Sequence, residues 1–507
     1  MNDKLYSVAQ IRAIEQAALA QQPPVNLMQR AGAAAAAWAL ELIQEVRPVL
    51  VLAGPGNNGG DALEVAANLR DAGVAITVLH LAGATPSAAT AAALARCRLD
   101  GVEFVDAVPD NAADNLQWAL VVDGLFGIGL TRPLDPALAA LAARLAGCRT
   151  LALDVPSGLD ADTGTVVGGG AAFGATHTIT FVGDKPGLHT GDGRDYAGIV
   201  RVARLDIDPG LLPPPDATLV TAASFAHALP RSQRRENSHK GAFGDVAVIG
   251  GADGMAGAAL LAARAALFCG AGRVLVAALD ARLACDPAHP EIMLRGAAGF
   301  ELAGRTLVAG PGMGDSAAAR ALLRQAIASD GALILDADAL NLLAAEPGLQ
   351  EAVRARARMA VLTPHPLEAA RLLGVTARVV GADRLAAARE LAARIGAVVV
   401  LKGSGSIVAH PDGRAAINTS GNAGLATGGA GDVLSGVTGT LLAQGWEAWA
   451  AAIGAVWMHG AAADRLVADG VGPVGLTAGE LPAAIRAVFN GLLNAAHQAG
   501  APGRHIG

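Results

Sequence analysis

Two stretches of this chain alternate short β-branched runs with Ala/Leu-rich helical patterns, and that alternation restricts the fold more than any other feature. In the first stretch VLVLA (49–53), AITVLH (75–80), ALVVD (119–123), TLALD (150–154) and THTITFV (176–182) read as strands. Helical patterns lie between them, as at 60–72 and 136–146. The second stretch repeats the scheme with DVAVIGG (245–251), RVLVAAL (273–279), RTLVAGPG (305–312), ALILDAD (332–338), MAVLTPH (359–365) and AVVVLKG (397–403). Such alternation predicts mostly parallel sheets covered by helices on both faces. Pro209-Gly-Leu-Leu-Pro-Pro-Pro215 can continue neither a helix nor a ladder and marks a linker. Two α/β domains are expected, over 1–215 and 222–500.

Composition agrees. Of 507 residues, 52% are apolar and 16% charged, enough for large cores. Aromatics are only 3%, so Ala, Leu and Val must build those cores. The net charge of −7 offers no basic footprint, and no nucleic-acid partner is expected. A phosphate-bearing ligand must then be held by backbone amides and a few local cations. Cys97, Cys148, Cys269 and Cys285 show no C-x-x-C spacing and read as thiols in a reducing compartment. The N-terminal MNDKLYSVAQIRAIEQ lacks the apolar core of a secretory signal. Ala256–Leu279 is apolar but broken by Arg264 and Arg273, so no membrane span is expected. A cytoplasmic setting is the resulting expectation, and a homo-oligomer is expected alongside it.

In open α/β sheets ligands bind beyond the carboxyl ends of the strands. The unusual residues of this sequence sit there repeatedly. GPGNNGGDA (54–62) joins the strand at 49–53 to a helix. A glycine turn at a helix start offers free amides and the positive end of a dipole. The simpler reading makes it a tight turn with Asp61 as a cap; three polar side chains in nine residues favour a ligand site. Asp123-Gly-Leu-Phe-Gly-Ile-Gly, Asp154-Val-Pro-Ser157-Gly and Gly183-Asp-Lys185-Pro-Gly end three further strands. These oxygen-bearing groups suit proton transfer or a hard cation and do not suit zinc. Lys185 is a weaker candidate, with a surface lysine as the simple alternative.

GPGNNGGDA, DGLFGIGLTR and DVPSG resemble the motifs of the NAD(P)H-hydrate epimerase family over about residues 5–210. The resemblance implies interconversion of the R and S hydrates at carbon 6 of the nicotinamide ring, with potassium bound. By position, Asn57, Asn58, Gly59, Gly60 and Asp61, then Gly127, Ile128, Gly129, Leu130, Thr131 and Arg132, and also Asp154, would contact the hydrate. Asn58, Asp123 and Ser157 would hold potassium. Asp123 is the expected proton acceptor, because inversion needs one. Ala62 departs from the family's usual Gly.

The most informative segment is NTSGNAGLATGGAGDVLSG (418–436). Gly428, Gly429 and Gly431 precede Asp432, with a helix pattern over Val433–Leu442. Amides at such a helix start can gather a transferring phosphoryl group, and Asp432 can take the proton of the attacking hydroxyl. A mere helix cap at Asp432 is the competing reading. KGSGS (402–406), GPGMG (310–314), DADAL (336–340) and TPHPLE (363–368) end other strands. With SHKGAFGDVAVIGGADGMAG (238–257), these blocks resemble the ADP- or ATP-dependent NAD(P)H-hydrate dehydratases, over about 225–495. The resemblance implies a nucleotide-dependent dehydration of the S hydrate, with magnesium and with ADP or ATP as phosphoryl donor. By position, Gly257, Gly312, His365 and Asp432 would contact the hydrate (NADHX or NADPHX). Lys402, Gly403, Ser404, Gly405, Ser406 and Gly431 would contact the adenine nucleotide. Leu425 and Leu367 depart from the usual Met and Gly. The fold class implied is α/β: an N-terminal Rossmann-like three-layer sandwich and a C-terminal ribokinase-like three-layer sandwich. The alternative is a kinase for a small vitamin-like alcohol, fused to a non-catalytic N-terminal binding domain.

Overall fold

The computed structural model describes residues 3–21, 26–81, 86–108, 117–280, 282 and 284–500, with backbone alone at 499 and 500. The chain divides into two compact units, Met1–Thr218 and Leu219–Gly507. The linker prolines therefore sit just before the division, and Pro209–Leu211 forms a single 3-10 turn.

In the first unit a short strand β1 (Lys4–Leu5) pairs antiparallel with β9 (Ala217–Leu219), which runs across the division. The main sheet contains β2 (Val49–Ala53), β3 (Ile76–His80), β4 (Glu103–Val105), β5 (Leu120–Gly124), β6 (Thr150–Leu153), β7 (His177–Phe181) and β8 (Ile199–Ala203). Their order is β4-β3-β2-β5-β6-β7-β8, and every adjacent pair is parallel. Strand side chains alternate between faces. Val49, Val51 and Ala53 join one core with the helices Val8–Leu19, Leu27–Leu42 and Asn57–Asp71. Leu50 and Leu52 join another with Leu138, Leu141 and Ala142 of the helix Pro136–Arg144. The result is the three-layer arrangement expected of a parallel sheet.

The strand order reverses between β2 and β5, where an open α/β sheet leaves a ligand crevice. Register aligns Ala53 with Gly124 and Asp123 with Ala152, so the turns after β2, β5 and β6 share one edge. The turn after β2 is tight for a reason: a Cβ on Gly54 would lie 1.7 Å from Leu125 O. Ala62 faces Gly124, whose own added Cβ would stand 2.5 Å from the Ala62 methyl. The departure at Ala62 is thus absorbed by a glycine on the neighbouring strand.

The second unit contains β10 (Asp245–Gly250), β11 (Arg273–Ala278), β12 (Met293–Gly296), β13 (Thr306–Ala309), β14 (Leu333–Leu335), β15 (Val361–Leu362), β16 (Val398–Leu401), β17 (Ile407–Ala409) and β18 (Ala415–Ile417). Their order is β18-β17-β16-β15-β14-β13-β10-β11-β12. Strands β10 to β16 are mutually parallel, and β17 and β18 add an antiparallel hairpin to β16. Here the order reverses between β10 and β13. Among the described residues no helix is long and apolar enough to cross a membrane.

Candidate functional site

In the first unit the helix after β2 begins at Asn57, with Gly56 as an N-cap that offers no side-chain bond. Asp61 therefore lies inside the helix and is not its cap. Asn58 is buried. Its Nδ2 donates to Leu153 O at 3.2 Å, while its Oδ1 accepts from none of the described groups. Asp123, at the end of β5, is fully buried. Its Oδ2 accepts from Ser157 N at 2.8 Å, and its Oδ1 accepts from Ser157 Oγ at 2.6 Å and Leu125 N at 3.3 Å. Burial pushes this carboxyl up to about 6, against those three hydrogen bonds.

Asp154 is held in a left-handed backbone conformation at φ 67°, a costly state for a side-chain-bearing residue. Its Oδ1 pairs with Lys185 Nζ at 2.8 Å, and its Oδ2 accepts from Ile128 N at 3.2 Å. A Cβ on Gly127 would come within 2.9 Å of Asp154 Oδ2 and 3.3 Å of Asn58 Cγ. The Gly127 turn, Asn58 and Asp154 are thus gathered in one place. Lys185 is not on the surface. It is 0% exposed, and its Nζ also donates to Thr180 Oγ1, Phe181 O and Gly183 O. Burial raises the Asp61 carboxyl well above its ordinary value, and the charges of Asp154, Glu15 and Glu64 add to that.

Other expected contacts separate. Asn57, Gly129, Thr131 and Arg132 are exposed; Ile128 and Leu130 are half-buried. Gly59 and Gly60 have packing reasons of their own: a Cβ would strike Gly54 O or Met28 Cε. Asp123, the expected proton acceptor, has no exposed surface, and each of its oxygens accepts at least one hydrogen bond. Asp154, 9% exposed, lies beside the Gly127 turn at the same sheet edge. Sequence reading missed Glu15, a half-buried carboxylate raised by burial and by Asp154. Nothing in its helical context sets it apart.

In the second unit the helix Ala430–Ala443 starts three residues earlier than its apolar pattern. Gly429 is its N-cap at φ 90°, a conformation that favours glycine, and provides no side-chain cap. Asp432 is the third helical residue and caps nothing. Burial, then Asp336, push its carboxyl up to about 7, with Lys402 opposing. Lys402 Nζ pairs with Asp336 Oδ1 at 2.8 Å and lies 4.0 Å from Glu368 Oε2. A Cβ on Gly431 would be 3.1 Å from that ammonium, so cation and glycine turn adjoin. Gly257 opens the helix Ala256–Phe268 onto free space. Gly312 O accepts from Ala252 N at 2.7 Å, and its own Cβ position is blocked by Met255 O.

His365 has a task the sequence did not show. Its Nδ1 accepts from Leu367 N and Glu368 N, capping the helix Pro366–Leu373, while Glu368 reaches back to His365 N. Its Nε2 lies 3.3 Å from Glu368 Oε1, so both ring nitrogens have partners, and an exposed ring edge remains for a ligand. Leu367 is exposed, so its departure from Gly crowds nothing. The loop 402–406 is organised by Arg384, which donates to the carbonyls of Leu401, Lys402, Ser404 and Gly405. Gly403 and Ser404 are exposed, Lys402 and Ser406 half-buried, Gly405 buried. Arg384 stands on another helix, so no local motif announces it.

Each unit thus sets a glycine turn at a helix start with carboxylates gathered beside it. That defines a two-site α/β protein suited to phosphate-bearing ligands. Comparison with known proteins names the family. Residues 25–187 match the model of the YjeF-related protein N-terminus, and residues 246–485 match that of NAD(P)H-hydrate dehydratase. A bifunctional NAD(P)H-hydrate repair enzyme of Coxiella burnetii is 37% identical over 502 residues, covering 96% of this chain and 99% of the relative. Its Escherichia coli counterpart is 38% identical over 479 residues, covering 92% and 89%. An ADP-dependent (S)-NAD(P)H-hydrate dehydratase of Neisseria meningitidis is 45% identical over 280 residues, covering 54% of this chain and 93% of the relative. A Bacillus subtilis ADP/ATP-dependent NAD(P)H-hydrate dehydratase co-crystallized with ATP/Mg2+ is 30% identical, with a TM-score of 0.48 over 54% of this chain and 98% of that one. The chain belongs to the bifunctional NAD(P)H-hydrate repair enzymes.

Proposed function

We propose that the chain repairs hydrated NADH and NADPH in two steps. The first unit epimerises the R and S hydrates at carbon 6; the second dehydrates the S hydrate using ADP or ATP. The observation that carries the reading is Asp432: an uncommitted carboxylate beside a glycine turn and a cation, with a raised pKa that makes it a stronger base.

In the dehydration, the 6-hydroxyl oxygen attacks the terminal phosphorus of the nucleotide and gives its proton to Asp432. The new O–P bond forms as the bond to the leaving nucleotide breaks, releasing AMP from ADP or ADP from ATP. The amides around Gly431 and the Lys402 ammonium balance the phosphoryl charge. The ring-nitrogen lone pair then expels phosphate from carbon 6, and loss of a carbon 5 proton restores the double bond. Among the described residues no group of three His, Cys, Asp or Glu side chains is spaced to hold a metal. Magnesium would therefore be held mainly by nucleotide phosphates and water, neutralising phosphate charge.

In the first unit Asp154 is the proton acceptor and Lys185 fixes its orientation. Asp61, whose carboxyl is pushed well above its ordinary value by burial and its acidic neighbours, is the donor. A potassium ion would be held by Asn58 Oδ1, with Asp123 and Ser157 joining it by giving up part of their hydrogen bonding to each other. The unused buried acceptor on Asn58 and the all-oxygen set support that ion. It would supply positive charge to balance an anionic ligand. Three buried free cysteines fit a cytoplasmic setting.

The vitamin-kinase alternative is disfavoured by the chain-long relatives, which are repair enzymes. Asp432→Ala tests the reading: with S hydrate and ADP or ATP, it should lose dehydration while still binding nucleotide. Full activity in that variant would refute the assignment.

A further inference from the structure

We propose that Asp336 is a positioning residue for the second site, holding the Lys402 ammonium against the glycine turn and away from the Asp432 carboxylate. The proposal rests on the reading of that unit as a phosphoryl-transfer site.

Asp336 follows β14 directly and is 1% exposed. Both of its oxygens are committed. Oδ1 takes the Lys402 ammonium at 2.8 Å, and Oδ2 accepts from Ser435 Oγ at 2.5 Å. Ser435 belongs to the same helix as Asp432, and its hydroxyl also lies 3.1 Å from Gly431 O. Thr363 Oγ1 backs the serine at 3.4 Å. The Asp336 amide is tied to Ala309 O at 3.0 Å. The carboxylate therefore links the ends of β14 and β16 to the second turn of the helix Ala430–Ala443.

The arrangement solves a conflict between charges. A base and a cation serving one phosphoryl group attract each other, and collapse of Lys402 onto Asp432 would silence both. Asp336 offers the ammonium a buried partner that Ser435 already holds in place. Burial lowers the Lys402 ammonium, but Asp336 and Glu368 carry it above its ordinary value, so it stays charged. The same negative charge is the second cause, after burial, of the elevated Asp432 carboxyl; Asp338 and Glu368 act in the same sense. From the helix Ala448–Ala468, His459 faces Lys402, and burial holds its imidazole down at about 4, hence uncharged.

The test uses the full chain with saturating S hydrate and varied ADP or ATP plus magnesium, across pH. Asp336→Asn keeps the shape and removes the charge. The expected results are a fall of about tenfold or more in kcat/KM for nucleotide and an acid limb of the rate profile moved to lower pH. An unmoved limb with unchanged nucleotide KM would overturn the proposal, as would a fall in kcat alone. Ser435→Ala keeps the charge and frees one oxygen, so nucleotide KM should rise with the limb in place. Should the Asn variant not fold, an unchanged KM in Ser435→Ala overturns the proposal. Wild-type enzyme that restores no dihydronicotinamide would defeat the underlying reading; active wild type with indifferent variants defeats only this inference.

Discussion

Replacing Lys185 with Met should destabilise the first unit severely, and the structure sets the size of the effect. The Lys185 side chain is wholly buried, ion-paired to Asp154 at 2.8 Å, and bonded to Thr180 Oγ1 at 2.6 Å and to two carbonyls at 3.1 Å. Methionine fills a similar volume and satisfies none of these groups. Removing one partner of a buried pair costs about 3–5 kcal/mol, because the other charge stays buried and unpaired. At about 2–4 °C per kcal/mol for a domain of this size, melting should fall by roughly 6–20 °C. Calorimetry of the full chain reads the change, and retained dehydratase activity reports that the second unit is intact. Adding Asp154→Asn should recover part of the loss by removing the stranded charge. A loss under about 1 kcal/mol, the range of exposed pairs, would show that Lys185 is solvated and that the account of Asp154 is wrong.

Other consequences follow from the same geometry. Dehydratase activity should be lost as pH falls through about 7, where Asp432 takes up a proton and ceases to act as a base; a rate constant level down to the ordinary carboxylate range would contradict this. Gly124→Ala should destabilise the first unit by about 1–3 kcal/mol, since the new methyl meets Ala62 Cβ at 2.5 Å and Asn58 O at 3.0 Å; an unchanged melting temperature would argue against that packing. Potassium should raise the melting temperature of the wild type, and Asn58→Ala should abolish the increment, because Oδ1 of Asn58 is the buried acceptor left unused. An equal increment in both proteins would remove Asn58 from the cation's ligands.

The central strands were legible because their periodicity is strong and their burial complete. VLVLA at 49–53 matches β2 residue for residue. Strands β4 and β8 were not legible, being partly exposed strands at opposite edges of the first sheet. The same holds for β12 and for the β17–β18 hairpin, whose strands have three residues each. The cradle helix starts at Ala430 and not at Val433, because small residues take a helical turn that no apolar pattern marks. At the sites, glycine turns and strand-end carboxylates are local signals and could be read directly. Arg384 reaches the loop 402–406 from a separate helix, and Ser435 meets Asp336 across 99 residues. Such contacts depend on packing between elements, as does the burial of Lys185 beneath its own loop.

The two-site account is tested most directly by one progress curve. An equal mixture of R and S hydrates is given to the full chain with ADP or ATP and magnesium, and absorbance of the restored dihydronicotinamide is followed. Wild type should convert the whole mixture. Asp154→Ala should convert the S half at normal speed and then stall at the rate of uncatalysed epimerisation. Complete, unslowed conversion by that variant, or no recovery by wild type, would contradict the account.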